Sequence, residues 1–235
     1  MSTPKITIAV DGFAACGKST LAKALATALN YGYVDSGAMY RAVTLYFLDN
    51  NINLDDATAI AKALESIRIH FGMVEGMNHT FLNDKNVEKE IRSMRVSKMV
   101  SPVATISAVR RKMVALQQRL GAEGGIAMDG RDIGTVVFKD AELKLFLTAS
   151  IEERTRRRLS EWASKGVTDI SSDQVQENLL SRDHIDSTRE DSPLQQAEDA
   201  IEIDNSLLTP EEQLNYTIQL AKEAIKEKAA KMVQS

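Results

Sequence analysis

Cysteine is almost missing: the 235 residues hold one, Cys16. No intrachain disulfide can form, and no cysteine-rich metal site can be built. A chain of this length can bury a substantial core without such staples. Long apolar runs are missing as well. No stretch approaches the roughly 18 apolar residues that cross a bilayer. The opening ten residues carry only a short apolar run before Asp11 and do not read as a signal peptide. A membrane role is therefore not expected, and a reducing cytoplasm is the default compartment. There is no excess of positive charge: 29 Lys and Arg against 33 Asp and Glu leave a net charge of −4. That argues against a nucleic-acid partner. It does not argue against a nucleotide enzyme, whose positive charge need only be local. The three histidines, His70, His79 and His184, show no metal-ligand spacing and read as structural or exposed.

What is present looks like an ordinary globular protein, with 43% hydrophobic and 26% charged residues. Ile6-Thr-Ile-Ala-Val10 is short, apolar and β-rich, the mark of a buried strand. A glycine-bearing turn over 11–17 follows, then a helix over 19–29 rich in Ala, Leu and Lys. Residues 33–35 form a second short strand, and 38–48 a helix with Met39, Val43 and Phe47 on one stripe. From 67 to 87 an alternating pattern, broken at Gly72 and Gly76, predicts a small antiparallel patch between helices. Residues 96–120 are helical in pattern, and 121–125 are a break. Further strands fall at 126–128, 143–147 and 200–203. Capping boxes at Ser150 with Glu153, Ser171 with Gln174, and Thr209 with Glu212 predict three helix starts, the last with Pro210 at its first position. The Lys/Glu/Ala-rich tail from Lys222 reads as a solvated helix face. Strands alternating with helices imply an α/β fold: a parallel sheet covered on both faces, in three layers.

Gly12-Phe-Ala-Ala-Cys-Gly17-Lys18-Ser19 matches G-x-x-x-x-G-K-[ST] in full, between a predicted strand and a predicted helix. Small residues let such a loop curl its N–H groups inward onto phosphate oxygens, and the helix N-terminus adds partial positive charge. The candidate ATP cradle is therefore Gly12, Phe13, Ala14, Ala15, Cys16, Gly17, Lys18, Ser19 and Thr20. Lys18 can reach the β- and γ-phosphates, and the Ser19 hydroxyl can ligate Mg²⁺. Asp129, ending an apolar strand, suits the second magnesium position. Cys16, close to a helix N-terminus, is either a reactive thiol or simply a small side chain that fits.

A phosphate loop establishes nucleotide binding, not the reaction. The Asp-x-x-Gly and Asn-Lys-x-Asp of a GTPase and the Leu-Ser-Gly-Gly of a transporter ATPase are all absent. Two other segments sit just after predicted strands, where α/β proteins build sites. They are Val34-Asp-Ser-Gly-Ala-Met-Tyr-Arg41 and Met128-Asp-Gly-Arg-Asp-Ile-Gly-Thr135. With the phosphate loop, the phrase at 81–92 and the run at 181–194, they resemble the bacterial cytidylate kinase family over about residues 6–205.

That resemblance implies one P-loop kinase domain over 1–235, with a monophosphate-binding insert at about 63–105 and a helical lid at about 154–190. It implies transfer of the ATP γ-phosphate to CMP or dCMP by a cytoplasmic monomer that needs Mg²⁺. Arg41, Arg131 and Arg189 match positions that hold the acceptor phosphate, a task that suits guanidinium forks. Ser101, Arg110 and Asp132 match positions that read cytosine. Asp132 would accept from the base's amino group, and a good bidentate contact discriminates by roughly 1–3 kcal/mol. Arg182 and Asp186 match sugar-contacting positions, and Ser36 and Tyr40 the acceptor pocket. Lys18, Arg131, Arg158 and Arg189 are the expected catalytic set. Arg154, Arg157 and Arg158 share one helical face, either a phosphate-covering lid or a solvated surface. The pair Arg182 and Asp186 is either a sugar site or a surface ion pair. Two departures stand out: Phe13 replaces a more usual proline, and Ile185 and Ser187 stand where the family often has arginine. Kinases for another acceptor, and a nucleotide-binding module without turnover, are the rival readings.

Overall fold

The computed structural model describes residues 3–234 except 165 and 168, both of which fall in the predicted lid. The elements run β1 (Thr7–Gly12), α1 (Lys18–Leu29), β2 (Gly32–Asp35), α2 (Ser36–Asp49), α3 (Ala57–Ser66), β3 (Ile69–Val74), β4 (Met77–Leu82) and β5 (Lys85–Asn86). They continue with α4 (Met94–Thr105), α5 (Ser107–Leu120), β6 (Ile126–Asp129), β7 (Leu143–Thr148), α6 (Ile151–Ala163), α7 (Ser172–Thr188), β8 (Ile201–Asp204) and α8 (Pro210–Gln234). The chain divides into two compact units, Met1–Val34 with Leu120–Ser235, and Asp35–Arg119.

The first unit is built on a five-stranded sheet in the order β2-β6-β1-β7-β8. β1 pairs in parallel with β6 and with β7, and β7 with β8. One face of the sheet presents Ile6, Ile8, Val10, Leu143, Leu145, Leu147 and Ile203 to Leu21, Ala22 and Leu25 of α1 and Ala221 of α8. The alternate residues Ala9, Met128 and Phe146 are buried too. Burial on both faces explains why these strands are continuously apolar in sequence. Helices therefore flank a parallel sheet, as expected from the alternation of patterns.

Two of the three capping boxes close as the sequence predicts. Ser171 exchanges both bonds with Gln174. The Thr209 amide donates to Glu212 at 2.9 Å, and the Glu212 amide donates back to the Thr209 hydroxyl at 3.2 Å. At Ser150 only the hydroxyl half forms. The Glu153 carboxylate turns instead to Arg156 and Arg157, which hold its pKa at about 2. Charge-assisted bonds outcompete a neutral amide donor.

The second unit holds α2, α3, α4, α5 and an antiparallel sheet β3-β4-β5. The predicted insert lies inside it. Gly72 does not break the patch: it pairs with His79 inside β3. A Cβ at Gly72 would come within 3.0 Å of the Phe81 ring, so glycine makes room for that aromatic. Gly76 does turn the chain, at φ +77°. The helix expected over 96–120 is two helices, parted at Ile106, which is extended at φ −71°, ψ 113°. Pro102 lacks an N–H, and the Thr105 hydroxyl bonds the Pro102 carbonyl at 2.8 Å. Both features weaken the helical ladder just before the β-branched Ile106.

Candidate active site

β1 delivers the phosphate loop. Gly12, at φ +141°, ends the strand so close to β7 that a Cβ would lie 2.1 Å from the Leu147 carbonyl oxygen. Only glycine fits there. Gly17, at φ +87°, caps α1. Between them Ala15 takes the left-handed region at φ +61°. The Cys16 thiol is buried, with Sγ 2.9 Å from the Phe13 carbonyl oxygen. Lys18 is buried as well, its Nζ donating to the Phe13 carbonyl at 2.6 Å. Burial, with Arg131 nearby, pushes its pKa below the ordinary lysine value. Thr20 lies exposed in the first turn of α1.

The carboxyl end of β6 lies beside this loop, with Asp129 in register with Val10. The Ser19 hydroxyl donates to Asp129 Oδ2 at 2.7 Å, and the Tyr33 hydroxyl to Oδ1 at 2.9 Å. Two hard oxygen donors are thus joined at the predicted magnesium position. Such a pair suits Mg²⁺, which keeps several waters and borrows phosphate oxygens. Just before the loop, Asp11 accepts from the Ile133 and Gly134 amides at 2.8 and 2.7 Å. Burial lifts its pKa to about 6 despite those two bonds. Asp11 thereby anchors the segment that carries Arg131 and Asp132.

Four of the predicted acceptor-side residues meet in this unit. Arg131 Nε donates to Asp186 Oδ2 at 2.8 Å. Arg189 lies 3.5 Å from Asp186 and 3.8 Å from Asp132. It also donates twice to the Ser192 carbonyl, at 2.9 and 2.7 Å. Burial alone would raise Asp186, but Arg131 and Arg189 outweigh it and hold the carboxyl below the usual range, with Arg182 assisting. Asp186 is therefore no surface charge but a buried carboxylate that serves Arg131 and Arg189.

The arginines at 154, 157 and 158 diverge. Arg154 pairs with Asp183 and donates to the carbonyls of Ala149 and Ala14. Arg157 grips Asn205 through its side-chain and backbone oxygens, each at 2.9 Å, and reaches the Cys16 carbonyl at 3.4 Å. Arg158 donates to Glu161 at 2.9 Å and stands 5.9 Å above the Trp162 ring.

Arg182 lies on α7 of the first unit, whereas Ser36, Tyr40, Arg41, Ser101 and Arg110 lie in the second. Asp35 accepts from the Ala38 amide at 2.8 Å and so caps the helix that Ser36 begins. Arg92 lies 3.2 Å from Asp35 and 2.7 Å from Glu88. The Arg110 guanidinium lies 5.4 Å over the Tyr40 ring. It also donates, at 3.2 Å, to the Ala104 carbonyl, which the helix break at Ile106 leaves open. Arg41 donates to the Ser97 hydroxyl at 3.1 Å. Ser101 lies buried one turn further along α4.

Asp11, Tyr33, Asp183 and Asn205 are site residues that sequence reasoning missed. Asp183 had a signal: Val175, Leu179 and Asp183 recur every four residues on one face of α7. Asn205 had none, because its role depends on the loop it meets 189 residues away.

A parallel sheet whose first strand feeds a complete phosphate loop, with Ser19 bonded to Asp129, defines the P-loop nucleotide-binding class. The family model for cytidylate kinase matches residues 8–223. A cytidylate kinase of Flavobacterium psychrophilum is 53% identical over 221 residues, which cover 92% of this chain and 97% of that one. A cytidylate kinase of Bacteroides fragilis is 50% identical over 227 residues, 94% of this chain and 99% of that one. The chain belongs to the cytidylate kinase family. Among solved structures, a shikimate kinase from Bacteroides thetaiotaomicron covers 95% of this chain and 99% of its own, at TM-score 0.46 and 12% identity.

Proposed function

We propose that this chain transfers the γ-phosphate of ATP to CMP or dCMP, giving ADP and CDP or dCDP. The observation that carries the reading is the complete cradle of residues 12–19, inside a chain that the cytidylate kinase family covers from 8 to 223. An acceptor phosphate is already a nucleophile at neutral pH, so no general base is required. What remains is positioning and charge neutralisation.

Each residue then has a task. The loop amides and Lys18 hold the donor phosphates. Lys18 now rests on the Phe13 carbonyl and needs only to exchange that acceptor for a phosphate oxygen. Arg41, Arg131 and Arg189 hold the acceptor phosphate, and Arg158 covers the transferring group. Arg182 and Asp186 take the sugar, and Ser36 and Tyr40 belong to the acceptor side. Ser101, Arg110 and Asp132 read the base. Uracil would turn a carbonyl oxygen toward Asp132 where cytosine offers an amino donor. Ser19 and Asp129 would hold Mg²⁺, which would neutralise charge on the phosphates. A monomer in the cytoplasm suits these small-molecule substrates.

The test is acceptor-dependent ADP release, with ATP and Mg²⁺ and one of CMP, dCMP, UMP, AMP, GMP or none. Release with CMP and dCMP, little with UMP and almost none without acceptor is the expected outcome. Preference for another acceptor discards the cytosine assignment of Asp132. ATP binding without acceptor-dependent release makes the chain a binding module.

A further inference from the structure

The lid helix α7 turns a carboxylate onto the backbone of the phosphate loop. Val175 and Leu179 pack against Ala14. One turn further on the same face, Asp183 Oδ1 accepts from the Ala14 amide at 3.0 Å. Asp183 Oδ2 accepts from Arg154 of α6. Arg154 in turn donates to the Ala14 carbonyl at 3.3 Å, so one ion pair holds both polar backbone groups of a single loop residue. The Arg154 guanidinium also lies 5.4 Å over the Phe13 ring, which meets Phe146 edge-on at 5.9 Å. The phenylalanine that replaces the more usual proline is thus part of the same assembly.

Asp183 and Arg154 are only 8% and 7% exposed. A buried ion pair is a weak way to gain stability, because desolvation offsets most of the attraction. It is a strong way to hold one geometry, since either partner left alone is an unpaired buried charge. A carboxylate beside an anion-binding loop would also repel phosphate unless neutralised, and Arg154 neutralises it. Asp183 follows Arg182 directly and precedes Asp186 by three residues on α7. Whatever fixes Asp183 to the loop therefore fixes those two as well.

We propose that Asp183, paired with Arg154, is a positioning residue that latches α7 to the phosphate loop. The latch sets the donor cradle and the placement of Arg182, Asp186 and Arg189 together. The second half rests on the acceptor roles given to those three above.

The test uses Asp183→Asn and Asp183→Ala, with thermal unfolding to confirm that each is folded. Asparagine keeps one acceptor oxygen, enough for either Ala14 or Arg154 but not both. Alanine keeps neither. Binding of a fluorescent non-hydrolysable ATP analogue, without acceptor, is read first. Affinity is expected to fall from wild type to Asn to Ala. At saturating ATP, kcat/KM for CMP is expected to fall roughly ten- to hundredfold in the alanine variant, as misplaced groups typically cost. Adding Arg154→Met to Asp183→Ala is expected to add little, since both break one latch. Folded variants with analogue affinity and both KM values within twofold of wild type overturn the proposal. So does a loss of activity that only follows the loss of folded protein. If alanine does not fold, asparagine alone decides by the same criteria. If wild type releases no ADP with CMP, the acceptor roles fail, while the analogue series still judges the latch.

Discussion

Asp11 shows how one residue can serve the site and weaken the fold at the same pH. Its carboxylate takes two backbone amides of the 132–134 segment, yet burial leaves its pKa at about 6 against an ordinary 3.8. The folded state therefore binds more protons than the unfolded state between about pH 4 and 6. Stability from this group falls as pH rises through that window and is flat above it. Asp11→Asn leaves one amide facing an NH₂ group, so it is expected to be less stable throughout. Its deficit relative to wild type should narrow from pH 4 to pH 6, measured by chemical denaturation at each pH. Lys18 is another buried charge, in the phosphate loop itself. Lys18→Ala is expected to lower kcat on the order of a thousandfold or more, since charge neutralisation carries phosphoryl transfer. Unchanged unfolding temperature with that loss, in a steady-state assay, is the outcome that fits the proposed role.

Helix ends were legible where a short side chain faces its own backbone, as in the boxes at Ser171 and Thr209. Thr209→Ala removes the cap of α8 and is expected to cost about 1 kcal/mol in urea denaturation. The loss should leave ATP and CMP kinetics unchanged, because α8 packs on the sheet face that buries α1 and carries none of the proposed site residues. The break between α4 and α5 was not legible. Pro102 weakens the helix but sits inside α4 without ending it, so it does not mark where the chain turns extended, and the extended residue is stabilised by what its opening frees. The open Ala104 carbonyl receives Arg110, which places that guanidinium over Tyr40. Gly72 was misread for a related reason. Its role is to accommodate a ring from the neighbouring strand, which no local pattern announces.

For the whole molecule, binding and folding are linked. An ATP analogue at a hundred times its Kd adds about 2.7 kcal/mol to stability if it binds only the folded chain. For a protein of this size that corresponds to a rise in Tm of roughly 5–10 °C. Adding CMP should raise Tm further, and UMP less, in a thermal-shift titration. Equal shifts from CMP and UMP would remove Asp132 as a base sensor.

The sequence by itself determined the α/β alternation, the complete phosphate loop, the helix caps and the resemblance to cytidylate kinases. All of these are written in short spacings, where each residue's neighbour is its neighbour in the chain. The tertiary structure alone decided that Asp186 serves Arg131 and Arg189, that Arg154 and Arg157 grip the loop, and that Arg158 pairs with Glu161. It also decided that Asp183 meets Ala14, 169 residues away. Those pairings depend on desolvation and on which charges the fold brings within a few ångströms. Coulomb attraction in a buried site has no regard for distance along the chain.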